Sequence, residues 1–88
     1  MAVYVDELFD TIKTKEWPYS QACHMVATTR KELLYMASKL DLPEDRIVAG
    51  IGGVTYFLLT KFKRRRAIER GAKDISFNEL MRRKKEWW

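Results

Sequence analysis

Hydrophobic and polar positions change their spacing several times along the 88-residue chain, and each change marks an element boundary. Ala2-Val3-Tyr4-Val5 is short, β-branched and aromatic, which predicts a strand. The acidic stretch Asp6-Glu7-Leu8-Phe9-Asp10 ends or turns it. Thr11 to Trp17-Pro18 is polar and without period, and a residue before proline avoids the helical region, so this stretch reads as a loop. Tyr19 to Ala27 predicts a second strand. Ala22, His24 and Val26 would lie on one face, and Gln21, Cys23 and Met25 on the other.

Thr29-Arg30-Lys31-Glu32 is a capping box, in which the hydroxyl and the carboxylate satisfy backbone donors at a helix start. Leu33, Met36, Ala37 and Leu40 then recur at three- and four-residue steps, and Leu42-Pro43 stops the helix. Pro43-Glu44-Asp45 is suited to one further helical turn. Arg46 to Ala49 and Val54 to Leu59 are apolar and β-leaning, and a hairpin turning near Gly52-Gly53 joins them economically. Thr60 is placed to cap a helix over Lys61 to Arg70, with Phe62, Ala67 and Ile68 facing the core. Gly71 stands where a left-handed C-terminal residue is wanted, and Ala72 follows as its apolar partner. Asp74-Ile75 is either a last strand residue or a connection. Ser76-Phe77-Asn78-Glu79 is a second capping box, and Phe77, Leu80 and Met81 share one face of a final helix. The order β-β-α-ββ-α-α describes a small α/β sandwich, one domain over residues 1–88, with a short sheet covered by two or three helices.

Composition adds charge. Seventeen Lys and Arg against 12 Asp and Glu give a net +5, and the excess sits at one end. Residues 61–88 hold eleven basic groups against four acidic ones, a net +7, which leaves −2 for the rest. Such a field concentrates polyanions, although basic residues also serve helix C-termini and solubility. No apolar run is long enough for a membrane span, no leader pattern is visible, and the lone Cys23 suits a reducing cytoplasm.

Catalytic signals are thin. One histidine and one cysteine do not make a zinc site, and as strand neighbours Cys23 and His24 point apart, so they form no dyad. Asp6, Glu7 and Asp10 offer oxygens for a hard cation, or simply a solvated edge. Gly50-Ile51-Gly52-Gly53 matches neither phosphate-binding fingerprint. His24 and Asp6 could work as an acid–base or ligand-binding pair only if the first two strands lie side by side. Neither a metal nor a cofactor is implied.

Several of these motifs together are similar to a family of short bacterial and phage proteins classed as a domain of unknown function. The points of likeness are Tyr4-Val5-Asp6, Cys23-His24-Met25, Thr29, Glu32-Leu33, Leu42-Pro43, and Ala67 to Gly71-Ala72. The chain departs from the pattern at Thr28, where an Asp is usual, and at Leu34, where many members have His. It departs again at Thr55-Tyr56-Phe57, where they have His-Tyr-Asp. The resemblance implies a bacterial or phage source, and a polar site around Asp6 and His24 that keeps only its first half here.

The functional expectation is a non-enzymatic binding protein acting in the cytoplasm. Its partner is nucleic acid or an acidic host protein, met by Lys61, Lys63, Arg64, Arg65, Arg66, Arg70, Arg82, Arg83, Lys84 and Lys85. The segment Lys61–Arg70 carries no Asn or Gln, which favours phosphate contact over base readout. Trp87 and Trp88 either anchor on that partner or fold back over the core. The alternative is a nucleotide- or phosphate-binding pocket, or a degenerate hydrolase, around Asp6 and His24.

Overall fold

The computed structural model describes residues 2–50 and 53–88. The strands are β1 (Val3–Val5), β2 (Phe9–Asp10), β3 (Gln21–Ala27), β4 (Val48–Ala49), β5 (Thr55–Leu59) and β6 (Lys73–Asp74). The helices are α1 (Arg30–Lys39), α2 (Lys61–Glu69) and α3 (Phe77–Arg82), with single 3₁₀ turns at Glu44–Arg46 and Lys84–Glu86. Among the described residues the strands form one mixed sheet in the order β4-β5-β3-β1-β6, and β2 continues beside β3. Only the β1–β6 pairing is parallel. The chain is therefore an α/β fold with a short sheet and three helices.

Side chains alternate across the central strand and divide the core in two. Val3, Val5, Cys23, Met25, Phe57 and Leu59 pack with Leu33 and Met36 of α1, Leu40 just past its end, and Ala67 of α2 on one face. Tyr4, Val26 and Val54 pack with Leu80 and Trp87 on the other. His24, two residues before Val26, belongs to this second face.

Local signals set the element ends. Thr29, Thr60 and Ser76 each accept a hydrogen bond from the backbone N–H three residues on. The capping box at Thr29 is redirected, because the Glu32 carboxylate reaches the Ala2 N–H and the hydroxyls of Thr28 and Thr29. It ties the start of β1 to the start of α1, and these bonds hold Glu32 below the usual carboxylate range. Helix α2 ends in a Schellman motif, with Ala72 N–H bonded to Ala67 O, Gly71 N–H to Ile68 O, and Gly71 at φ +106°. The same motif ends α1, but there the left-handed residue is Asp41 at φ 58°. The β4–β5 hairpin is present, and Gly53 has φ +83°. Of the Gly52-Gly53 pair where its turn was expected, Gly52 lies outside the described residues.

One sequence expectation changes and another gains a detail. The acidic stretch does end β1, at Val5. The chain then bulges and resumes as β2, since four residues advance from Val5 to Phe9 while their partners on β3 step back three, from Met25 to Ala22. Phe62 is not a core residue: it is 68% exposed, and Ala67 is the fully buried side chain of α2. A small alanine lets the helix sit close to the sheet, and the long stems of Lys63 and Arg64 cover the flanks.

Candidate functional site

The extra residue of the bulge lies just where β1 leaves β3, and it frees Asp6 to turn toward the neighbouring strand. The two strands do lie side by side, with Asp6 N–H bonded to His24 O at 3.2 Å. Asp6 is fully buried and its carboxylate grips one residue twice. Oδ1 accepts the main-chain N–H of His24 at 2.6 Å, and Oδ2 meets the ring Nδ1 at 2.7 Å. A carboxylate can only accept, so a ring proton sits on Nδ1, and in the neutral form of the imidazole the lone pair is at Nε2. Among the described residues Nε2 has no hydrogen-bond partner. On the far side, Arg64 Nε donates to the Asp6 carbonyl at 2.7 Å and its Nη2 to Asp74 at 2.8 Å.

The imidazole is held among aromatic rings. Phe9 stacks on it with centroids 5.0 Å apart and planes at 22°, Tyr56 meets it edge-on at 4.9 Å, and Phe77 lies at 5.6 Å. Glu7 fixes Phe77 in turn, since its Oε1 accepts the Phe77 N–H at 3.1 Å. A cleft of about 470 Å³ opens beside the ring, lined by Asp6, Glu7, Leu8, Phe9, His24 and Phe77. Its polar side chains are the Glu7 carboxylate and the His24 imidazole, with the Asp6 carboxylate buried behind the ring and no cation, a setting that opposes a phosphate. Among the described residues no three His, Cys, Asp or Glu side chains converge on a metal position. Both Asp6 oxygens are spent on His24 and one Glu7 oxygen on Phe77, so the acidic run does not close around a cation.

Sequence reasoning found Asp6 and His24 but not the aromatic walls. Phe9 and Phe77 reach His24 only through the bulge and the parallel β1–β6 pairing, neither of which has a local signature. Of the Thr55-Tyr56-Phe57 segment, Tyr56 meets the His24 ring, while Phe57 points through to the opposite core and is fully buried.

The ten basic residues are not brought together. Those of α2 lie on the α1 side of the sheet, whereas Arg82 to Lys85 follow Leu80 on the other face. Several serve the fold itself. Lys63 Nζ donates to Leu40 O at 2.6 Å, closing the C-terminus of α1, and Arg64 holds Asp6 as above. Arg82 pairs with Glu79. Arg83 pairs with Glu86 at 2.8 Å and lies over the rings of Tyr4 and Trp87. Lys61, Arg65, Arg66, Arg70, Lys84 and Lys85 make no ion pair among the described residues. Trp87 folds back: it is 7% exposed, donates from Nε1 to Leu80 O at 2.8 Å and packs on Tyr4. Trp88 is partly exposed, near Arg30, and its main chain bonds to Ala27 and Thr55.

The uncommitted cations of α2 surround Phe62. One groove, of about 730 Å³, runs between Leu8 and the side chains of Lys61, Arg65 and Ile68. A second, of about 530 Å³, runs between Lys61 and Lys63 on one bank and Lys13 and Tyr19 on the other. Phe62 stands as the ridge between them, and Tyr19 is half exposed.

No helix among the described residues is long and apolar enough to cross a membrane. No curated protein and no solved structure matches the chain. The model of one family, described as "Protein of unknown function (DUF4031)", matches residues 3–87, and with nearly its whole length matched the chain belongs to that family.

Proposed function

We propose that the protein binds single-stranded nucleic acid along the outer face of α2. The observation that carries this reading is Phe62, a large aromatic ring 68% exposed on a helix whose neighbouring side chains are cations. Strand-binding surfaces combine these two features: Lys and Arg follow the phosphates, and an aromatic face stacks on a base. Lys61, Arg65 and Lys13 supply the charge, and Tyr19 is a second ring across the groove. A ridge between two shallow grooves suits a flexible strand rather than a rigid duplex.

The test is a titration of labelled single strands and duplexes at about 50 and 200 mM salt, a range over which binding through phosphates weakens steeply. Phe62→Ala should weaken single-strand binding about 5- to 100-fold, as removal of one stacked base does. Absence of salt-dependent binding at the lower salt overturns the proposal, as does equal affinity of Phe62→Ala and the parent protein.

A further inference from the structure

The His24 cleft is not used by the strand-binding face, yet the two adjoin. Leu8 lines both the cleft and the groove beneath Lys61 and Arg65, so a strand following α2 passes the mouth of the cleft. We infer that the cleft is a pocket for one base of that strand and that it selects guanine; the inference rests on the strand-binding reading above.

The chemistry of the walls makes the selection. His24 is 7% exposed, and its Nε2 lone pair has no partner among the described residues although the residue lines an open cleft. Among the described residues the buried side-chain atom left without a partner is Trp17 Nε1, so His24 Nε2 is not a cost to the fold but an acceptor open to the cleft. Glu7 spends one carboxylate oxygen on the Phe77 N–H and keeps the other. The side chains of the cleft therefore offer acceptors and no donor. Phe9 and Phe77 give it apolar, aromatic walls. A fitting ligand is flat, carries no negative charge inside the cleft, and presents donors along one edge. Adenine sets one donor beside an acceptor on its pairing edge, cytosine one donor beside two acceptors, and uracil and thymine place one donor between two acceptors. Guanine alone sets two donors side by side, N1–H and the N2 amine, against two acceptors such as His24 Nε2 and Glu7. Sites built to hydrogen-bond a donor reject analogues that lack it, because their own polar groups are then left unpaired.

The test uses nucleosides, which carry no phosphate and so bypass the basic face. Guanosine, inosine and adenosine are titrated into ¹⁵N-labelled protein while the His24 ring nitrogens are followed by NMR. Guanosine should shift the Nε2 resonance saturably. Inosine, without the N2 amine, should bind at least tenfold more weakly, and adenosine should leave the resonance in place. Glu7→Gln keeps an oxygen for the Phe77 N–H but can turn an amide donor toward the ligand, and should lose guanosine binding with the fold intact. Indifference of Nε2 to guanosine, or equal responses to guanosine and adenosine, overturns the pocket. So does a response to tetramethylammonium in place of guanosine, which would reassign the cleft to cations. Salt-dependent strand binding without guanine preference removes the pocket and leaves the strand reading standing. Guanosine binding by a protein that holds no strand does the reverse.

Discussion

The Asp6 carboxylate holds both the ring and the main chain of His24, with Oδ2 2.7 Å from Nδ1 and Oδ1 2.6 Å from the backbone nitrogen. One buried side chain thus sets the ring's tautomer and locks the strand that carries it. The two roles separate on substitution. Asp6→Asn can still accept the His24 N–H through its oxygen, but it turns its NH₂ toward Nδ1. That nitrogen must then become the acceptor, and the proton moves to Nε2. The ¹⁵N shifts of the two ring nitrogens should exchange character in Asp6→Asn while the backbone spectrum stays close to the parent. Asp6→Ala removes both bonds, leaves a buried N–H unpaired, and should cost about 2–4 kcal/mol in a urea titration. Unchanged ring shifts in Asp6→Asn would refute the assignment of the proton to Nδ1.

The α2 cations divide into structural and available ones. Arg64, bonded to the Asp6 carbonyl and to Asp74, braces the end of β1. Arg64→Ala should lose about 1–2 kcal/mol of stability, whereas Arg65→Ala, on the exposed side, should stay within about 0.5 kcal/mol. Reversing Arg64, Arg65 and Arg66 together would therefore confuse weakened strand binding with a damaged fold. Replacing Lys61 and Arg65 instead should leave the melting curve in place and lower the salt slope of strand binding by about one for each phosphate no longer neutralised. An Arg65→Ala protein that melts with Arg64→Ala would undo this division.

The sequence made local features legible and left long-range ones conditional. Thr29, Thr60, Ser76 and Gly71 could be read because caps and C-terminal turns are decided within a few residues. The face alternation of Gln21 to Ala27 followed from the pleat. The Asp6–His24 pair was legible only as a condition, since pairing of β1 with β3 spans nearly twenty residues and nothing local enforces it. The bulge was not legible: a one-residue offset shows only when both strands are seen. Phe62 misled for a different reason. An apolar residue on a helix is assigned inward by default, and α2 reaches the sheet mainly through Ala67, leaving too narrow a stripe to cover its ring.

Cys23 sits on the opposite face of β3 from His24 and is fully buried. Burial pushes its thiol from the ordinary 9.0 up to about 12, the charges of Asp6 and Asp74 add to this, and Arg64 opposes it. The thiol should resist iodoacetamide in the native protein at about pH 8 and react once urea unfolds it. Because the folded state binds this proton more tightly than the unfolded one, its contribution is fully present below 9 and is lost as pH rises toward 12. Cys23→Ala should therefore show a shallower loss of stability than the parent between about pH 9 and 11, even if less stable at neutrality. Parallel alkaline limbs in the two proteins would show that the thiol is not the group responsible.

Asp41 closes α1 in the left-handed region at φ 58°, the position that Gly71 fills after α2. Aspartate tolerates this conformation better than most residues but not as well as glycine, and its charge faces the negative end of the helix dipole. Asp41→Gly keeps the two Schellman bonds, from Leu42 N–H to Ala37 O and from Asp41 N–H to Ser38 O, which use only the backbone. It should stabilise the protein by about 0.5–1 kcal/mol and raise the melting temperature by about 2–6 °C. Asp41→Val, β-branched and unable to enter the left-handed region cheaply, should move the melt the other way by a similar or larger amount. The pair of variants separates strain from charge: if charge alone mattered, both would melt higher than the parent. Opposite shifts identify the backbone conformation at this position as the stored cost.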